Sequence, residues 1–365
     1  MILAKSQHGV TLVELMISIL IAVLLGIGLV TLFAQNKRSY YQNEDIAHLQ
    51  DSGRYAVEQL GRDLSMAGFY GQLAGGDWFI PQPLAAVTGC GPGSGIYDDL
   101  ALDTTDPLSD WLFAVFPRAA DGFTPQQTAL AVENNAANAG QFACLPLPAG
   151  LVAGSDLVAL KRAIGTPLSV NPYQAPAAGR LYLSRRGSDG FLAQGSVINA
   201  DASLAVDPTD PFQVTQRDYQ YSPRIYYIRN PITEDNWPND LPEAPILCRA
   251  ALGAGPAMEE ECIADGVETF QIEFGLDLSG DGTANVYVSG LDPAPLIGPP
   301  EPALLVSARI TVLVRALRPD PTYLNDKVYT VGDRTLGPFN DNFYRRVFSS
   351  TVLIRNVRNL QRLGF

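Results

Sequence analysis

The chain opens with a short leader, MILAKSQHG, that carries one positive charge, Lys5, and then runs apolar from Val10 to Ala34 before turning polar at QNKRSYYQNED. That run is about two dozen residues, enough to span a bilayer as one helix. The helical period then continues in a different character. Ile46, Leu49, Gly53, Ala56, Leu60, Leu64 and Ala67 recur at three- and four-residue steps, and Asp45, Asp51, Arg54, Glu58, Arg62 and Asp63 fall on the other face. This is an amphipathic stripe suited to packing on a globular domain. No proline interrupts residues 10–80, and Gly68 ahead of Phe69-Tyr70-Gly71 is a stop signal. The pattern predicts one helix from Val10 to Ala67, apolar all round in its first part and one-sided in its second.

Beyond it the period changes. Residues 72–155 are rich in Gly, Ala and Pro and read as a long irregular excursion with short helices or strands. From residue 156 strands dominate: 156–163, 179–186, 223–230, 268–276, 304–317, 327–332 and 346–356 carry β-branched, aromatic and alternating residues. In 304–317, Val306, Ala308, Ile310, Val312 and Val314 share one parity. Ser307, Arg309, Thr311 and Arg315 share the other, with Leu313 as the exception. That suits a sheet with one side on a helix. The predicted class is α+β: one long helix laid on a mostly antiparallel sheet, with a large loop-rich insertion. No internal repeat is visible.

Composition narrows the chemistry. The 365 residues allow one or two cored domains. A net charge of −13 argues against a nucleic-acid groove, which needs a basic stripe. It fits ordinary solubility of a secreted domain. Only His8 and His48 are present, the first in the leader and the second in the predicted helix. A multi-His metal site is excluded, and a Ser-His-Asp or Cys-His site would have to recruit His48. The chain is therefore not expected to be an enzyme. The acid clusters Asp98-Asp99, Glu259-Glu260-Glu261 and Asp341 read as solvated loop charges. The tyrosines at 219, 221, 226 and 227 read as sheet core and cross-strand pairs, with a sugar platform as the rival reading.

Lys5 ahead of the apolar helix places the remainder outside the cytoplasm by the positive-inside rule. An oxidising compartment permits disulfides. Cys90, Cys144, Cys248 and Cys262 allow three pairings and contain no Cys-x-x-Cys. Closing the nearest loops favours Cys90–Cys144 and Cys248–Cys262. Asp277-Leu278-Ser279-Gly280-Asp281-Gly282 matches the start of a calcium loop, with Asp277, Ser279 and Asp281 as the ligand candidates. The match fails at its twelfth position, Val288, and the competing reading is an Asp/Gly-rich hairpin turn. No other cofactor is expected.

The acid at Glu14 is the most informative polar residue of the span. An ionisable group inside a membrane segment is costly and points to function. A cleaved secretory signal is a poor fit, because Phe33-Ala34-Gln35 is not a small-x-small site. An ordinary anchor would not place an acid so early. Gly9-Val10-Thr11-Leu12-Val13-Glu14 resembles the type IV prepilin signature, with Val10 where Phe is common. The resemblance implies cleavage between Gly9 and Val10, methylation of the new amine, and a role for Glu14 in subunit assembly.

A second resemblance is more specific. HLQDSGRYAVEQLGRDLSMAGFYG (48–71), GVETFQIEFGLDLSGDGTANVY (266–287) and RRVFSSTVLIRN (345–356) resemble the PilW family of minor pilins. It says little about residues 72–240. Within the first segment, the Arg62-Asp63 step reads as a cap or ion pair at the helix–sheet junction, or else as a solvated helix face.

The organisation expected is a leader at 1–9, a membrane and assembly helix at 10–34, an amphipathic half at 35–71, and a periplasmic or extracellular domain at 72–365. The function implied is a structural minor pilin that starts type IV pilus assembly at or near the tip. Its partners would be other minor pilins, the major pilin, the prepilin peptidase, the inner-membrane assembly platform and a tip adhesin, with no nucleic acid. Before assembly it would be a single-pass inner-membrane protein, and afterwards part of a pilus at the cell surface. The rival readings are a minor pseudopilin of a type II secretion system and a membrane-tethered periplasmic binding module or enzyme.

Overall fold

The computed structural model describes residues 11–73, 78–79, 129–137, 145, 150–169, 174–186, 189–200, 218–231, 243–254, 258–290 and 303–362. Gly9, Val10, Cys90 and Cys144 lie outside the described residues. The chain divides into two compact units, Met1–His48 and Leu49–Phe365. One helix, α1 (Leu12–Met66), begins in the first and ends in the second.

In the first unit the large apolar side chains from Leu12 to Phe33 are exposed. This segment is long and apolar enough to cross a membrane. In the second unit the helix is one-sided. Leu49, Ser52, Gly53, Ala56, Val57, Leu60, Gly61, Asp63 and Leu64 are buried. Two details correct the stripe read from periodicity. Ile46 is exposed, so the buried face starts at Leu49. Asp63, assigned to the opposite face, lies on the buried one. Leu60 and Leu64 are fully buried, each contributing about 1.5–3 kcal/mol of apolar transfer.

The helix sits close to the sheet because two of its buried positions are glycines. A Cβ on Gly53 would come within 2.2 Å of the Phe348 ring, and one on Gly61 within 3.0 Å of Val352. The helix ends where predicted. Gly68 takes φ +75, a conformation L side chains rarely adopt, and its N–H donates to Lys161 O at 2.9 Å.

The strands are β1 (Trp78–Phe79), β2 (Leu130–Ala136), β3 (Ser155–Leu160), β4 (Leu181–Arg186) and β5 (Asp189–Gln194). They continue as β6 (Asp218–Gln220), β7 (Arg224–Arg229), β8 (Ile246–Leu252), β9 (Met258–Asp265) and β10 (Val267–Asp277). The last are β11 (Val286–Ser289), β12 (Leu304–Arg315), β13 (Tyr329–Val331), β14 (Arg334–Leu336) and β15 (Arg345–Leu353). Two short helices complete the set, α2 (Gly195–Ala200) and α3 (Arg355–Arg362).

The strands form an antiparallel sheet β2-β3-β7-β8-β9, a second antiparallel sheet β11-β10-β12-β15, a smaller sheet β1-β5-β4-β6, and the hairpin β13-β14. The β1–β5 pairing alone is parallel among these described sheets. The class is the predicted α+β. Gly266, at φ +76, turns the chain out of β9 in one sheet and into β10 in the other.

All seven predicted strand segments overlap observed strands. The hairpin β8–β9 falls outside the predicted strand segments, because its Ala and Glu residues have weak strand preference. Glu259, Glu260 and Glu261 lie on β9, at the edge of its sheet, where charge discourages further pairing. Leu313 also finds its reason. It packs with Tyr329 and Val331 of β13, so the second face of β12 is covered as well. Tyr221, Tyr226 and Tyr227 are buried in the core, which supports the sheet reading of those tyrosines.

Candidate functional site

The head of α1 is built by a reciprocal cap. Thr11 precedes the first helical residue and Glu14 is the third. The Glu14 N–H donates to Thr11 Oγ1 at 3.3 Å, and the Thr11 N–H donates back to Glu14 Oε2 at 3.1 Å. The Thr11 hydroxyl also donates to Glu14 Oε2, at 3.1 Å. Two amides that the helix cannot satisfy are thus paired locally. The T-x-x-E spacing ahead of an apolar run is a capping-box signature legible in the sequence. The cap fixes where the carboxylate stands: at the first turn, on an exposed helix end. Further along, Ser18 and Thr31 donate their hydroxyls to the carbonyls of Glu14 and Ile27, both at 2.8 Å. Neither hydroxyl then needs water, as a helix in hydrocarbon requires.

The second polar centre lies where α1 meets the five-stranded sheet. Asp63 is 1% exposed. Its Oδ1 accepts from Arg162 Nη1 at 2.7 Å and its Oδ2 from Arg224 Nη1 at 2.5 Å. The Tyr226 hydroxyl donates to the same Oδ2, and Arg249, opposite Tyr226 on β8, pairs with Glu261 at 2.7 Å. Burial pushes the Tyr226 phenol above its ordinary pKa, and the Asp63 charge adds to that push. Burial also lowers the Arg162 guanidinium, against the opposing pull of Asp63. Of the two readings of the Arg62-Asp63 step, the structure shows the ion pair at Asp63, while Arg62 itself is exposed. Arg162, Arg224 and Tyr226 had no local signal. They are 99, 161 and 163 residues from Asp63 in sequence.

Cys248 and Cys262 form a disulfide between directly opposed positions of β8 and β9. It staples a hairpin rather than spanning a loose connection. Beside it, Glu260 accepts from the Tyr227 hydroxyl at 2.5 Å and pairs with Arg229 at 2.7 Å.

The loop after β10 turns its oxygens inward. Asp277 Oδ1 accepts the N–H groups of Ser279 and Gly280 at 3.1 and 2.7 Å, and Oδ2 accepts that of Gly282 at 2.6 Å. Asp281 Oδ1 accepts from the N–H and hydroxyl of Thr283, at 2.8 and 2.6 Å. Asn285 Oδ1 accepts from the N–H of Leu278 at 2.6 Å. Burial raises the Asp277 carboxyl, but the amides of Gly282, Gly280 and Ser279 together outweigh it and leave its pKa below the ordinary value. These carboxylates serve the turn, and a cation would compete with backbone amides for the same oxygens. Millimolar calcium is expected to leave the melting temperature unchanged. A rise on adding calcium, lost in Asp281→Ala, would establish a bound ion.

Residues 225–356 match the family model described as type IV pilus-assembly protein W, and residues 4–30 match that of the prokaryotic N-terminal methylation motif. No curated protein and no solved structure matches the chain. The first match takes in the hairpin with its disulfide, the Asp277 loop, β12 and β15; the second takes in Thr11 and Glu14.

Proposed function

We propose that this PilW-family type IV pilus-assembly protein is a minor pilin that helps to initiate the pilus and stands at or near its tip. The observation that carries the reading is the construction of its N-terminus. A methylation motif leads into a helix with exposed apolar side chains from Leu12 to Phe33 and one capped acid, Glu14, in its first turn. Such a surface is stable only against lipid or against other apolar helices. A subunit that moves from membrane to filament meets both.

The globular unit supports a structural role rather than a catalytic one. Its buried Asp63 and Asp218 and its half-buried Glu260 are engaged with arginines of the same unit. In this reading the chain is processed between Gly9 and Val10 by the prepilin peptidase and held in the inner membrane with the globular unit in the periplasm. It is then passed by the assembly platform into contact with other minor pilins, the major pilin and a tip adhesin.

The test is co-purification of the membrane-extracted full chain. Other type IV pilins are expected to come with it after mild cross-linking. Recovery of secretion pseudopilins instead would move the assignment to a type II secretion system. Recovery of no prepilin-type partner would refute the assembly role. Because peptidase and chain meet at Gly9, replacing it by a bulky residue should leave an unprocessed, slower-migrating protein.

A further inference from the structure

Asp156 is 1% exposed, on β3 of the five-stranded sheet. Unlike Asp63 and Asp218, its carboxylate is held by backbone amides. Oδ1 accepts the Asn135 N–H at 3.0 Å and Oδ2 accepts the Ile272 N–H at 2.7 Å. Asn135 sits at φ 53, in the irregular stretch of β2 between Glu133 and Ala136. Ile272 belongs to β10, in the other sheet. One carboxyl group therefore ties both sheets together.

The neighbouring Ser155 does the same job with a neutral group. Its Oγ accepts the Phe270 N–H at 3.2 Å and donates to Phe270 O at 3.3 Å. These side chains meet backbone groups of β10 beyond the reach of β11, which pairs only with Glu273 to Leu276.

The β13–β14 turn closes over the same place. Asp333 Oδ2 accepts from Asn134 Nδ2 at 2.9 Å and from Asn135 Nδ2 at 3.3 Å. Arg334 donates to Gly154 O, and its guanidinium fills the space where a Cβ on Gly154 would stand. The charges facing Asp156 are thus Asp333 and Arg334 from the turn. On β2 the titratable residue is Glu133, half-buried. On β10 the facing residues Phe270, Gln271 and Ile272 carry none. Gln271 Nε2 lies 3.2 Å from Asn135 Oδ1, and its Oε1 is a buried acceptor without a protein donor.

Burial pushes the Asp156 carboxyl up to about 7; the amides of Asn135 and Ile272 oppose the shift, Asp333 adds to it and Arg334 subtracts. We propose that Asp156 is a proton-sensitive rivet, whose joint between the β2 irregularity, β10 and the β13–β14 turn holds tightest when the carboxyl is protonated and loosens as pH rises toward neutrality. The sign follows from linkage. An aspartate freed by opening titrates near 4, so between about 4 and about 7 the closed joint holds a proton that the open one releases. Opening becomes easier by up to about tenfold per pH unit across that window and levels off above it. The inference rests on the globular unit alone and stands apart from the pilin reading.

The test is hydrogen exchange by mass spectrometry on the full detergent-solubilised chain, from about pH 5 to about pH 8, corrected for intrinsic exchange. Protection of segments containing Asn135 and Ile272 should fall up to about tenfold per unit and then level near neutrality. Asp156→Asn should abolish the slope. Because Asn presents an amide donor to one of the two N–H groups and the variant can fail to fold, Asp333→Asn is the companion. Asp333 is exposed, and its neutralisation removes a like charge, so the levelling point should move to lower pH. Flat protection in the unmodified chain, or an unmoved profile in Asp333→Asn, would overturn the proposal.

Discussion

Asp63→Ala is expected to cost the globular unit about 3–5 kcal/mol, because it leaves Arg162 and Arg224 buried without their shared counter-charge. Their side chains are only 11% and 17% exposed, so water cannot replace the carboxylate in full. The Tyr226 hydroxyl loses its acceptor at the same time. A loss of that size is a large share of the stability of an ordinary domain. The expected result is a chain that accumulates poorly, or that melts well below the parent in detergent. Asp63→Asn keeps an acceptor oxygen and should lose less. Removing a guanidinium together with the carboxylate is the sharper measurement. Asp63→Ala with Arg224→Met should recover part of the loss, since fewer uncompensated charges remain. A parent-like melting curve for Asp63→Ala would show that the centre contributes nothing to stability.

Glu14→Ala should leave processing and membrane insertion intact and yet sharply reduce incorporation into pili. In the assembled filament the Glu14 carboxylate is proposed to receive the N-terminal amine of a neighbouring subunit at the same depth. Either charge alone in apolar surroundings is unfavourable, and the pair partly offsets both. An uncompensated charge worth about 3 kcal/mol already corresponds to a change on the order of a hundredfold in partition. Two substitutions separate charge from capping. Glu14→Gln keeps an oxygen for the Thr11 N–H but removes the charge, and should resemble Glu14→Ala. Thr11→Val keeps the charge and removes the hydroxyl that accepts the Glu14 N–H; it should cost about 0.5–2 kcal/mol at the helix end and reduce incorporation less. Pilus counts and recovery of partner pilins are the readouts. Normal pili from both Glu14 variants would end the charge-pairing mechanism for this subunit while leaving the family assignment untouched.

The acid-dependence of the globular unit has two opposing parts. Asp277 and Asp281 have depressed pKa values, so their hydrogen bonds contribute in full above the ordinary aspartate value, and that contribution is lost as pH falls below it through their lowered folded-state values. Asp156 is shifted the other way and favours the fold at lower pH. Removing Asp156 would therefore change the shape of a stability–pH curve between about 4 and 7, while removing Asp277 would change its acid limb.

The elements with strong local periodicity were open to inspection from the residues alone. The apolar run, the stripe on α1, the Gly68 stop and the alternating strand β12 each express a repeat set by backbone geometry. The N-terminal methylation motif was legible for a related reason: such a signature lies in one linear segment. The capping box at Thr11 and Glu14 belongs with these, being a contact across three residues.

Other features required the folded chain. Asp63 looked equally suited to solvent or to an ion pair, because its partners come from strands far away in sequence. β8 and β9 were hidden by Ala and Glu, whose preference for strands is weak; pairing with each other and the Cys248–Cys262 staple supplied what composition lacked. Leu313 broke the alternation of β12 for want of a visible cover, which β13 provides. Asp156 and Asp277 are the same residue type, yet their carboxyl groups are shifted in opposite directions. Local spacing determined the helix, its long apolar part, the N-terminal methylation motif and most strands. Tertiary structure alone decided which charges are buried, what holds them and how each titrates, because burial and long-range partners, not sequence neighbours, set the free energy of a charge inside a protein.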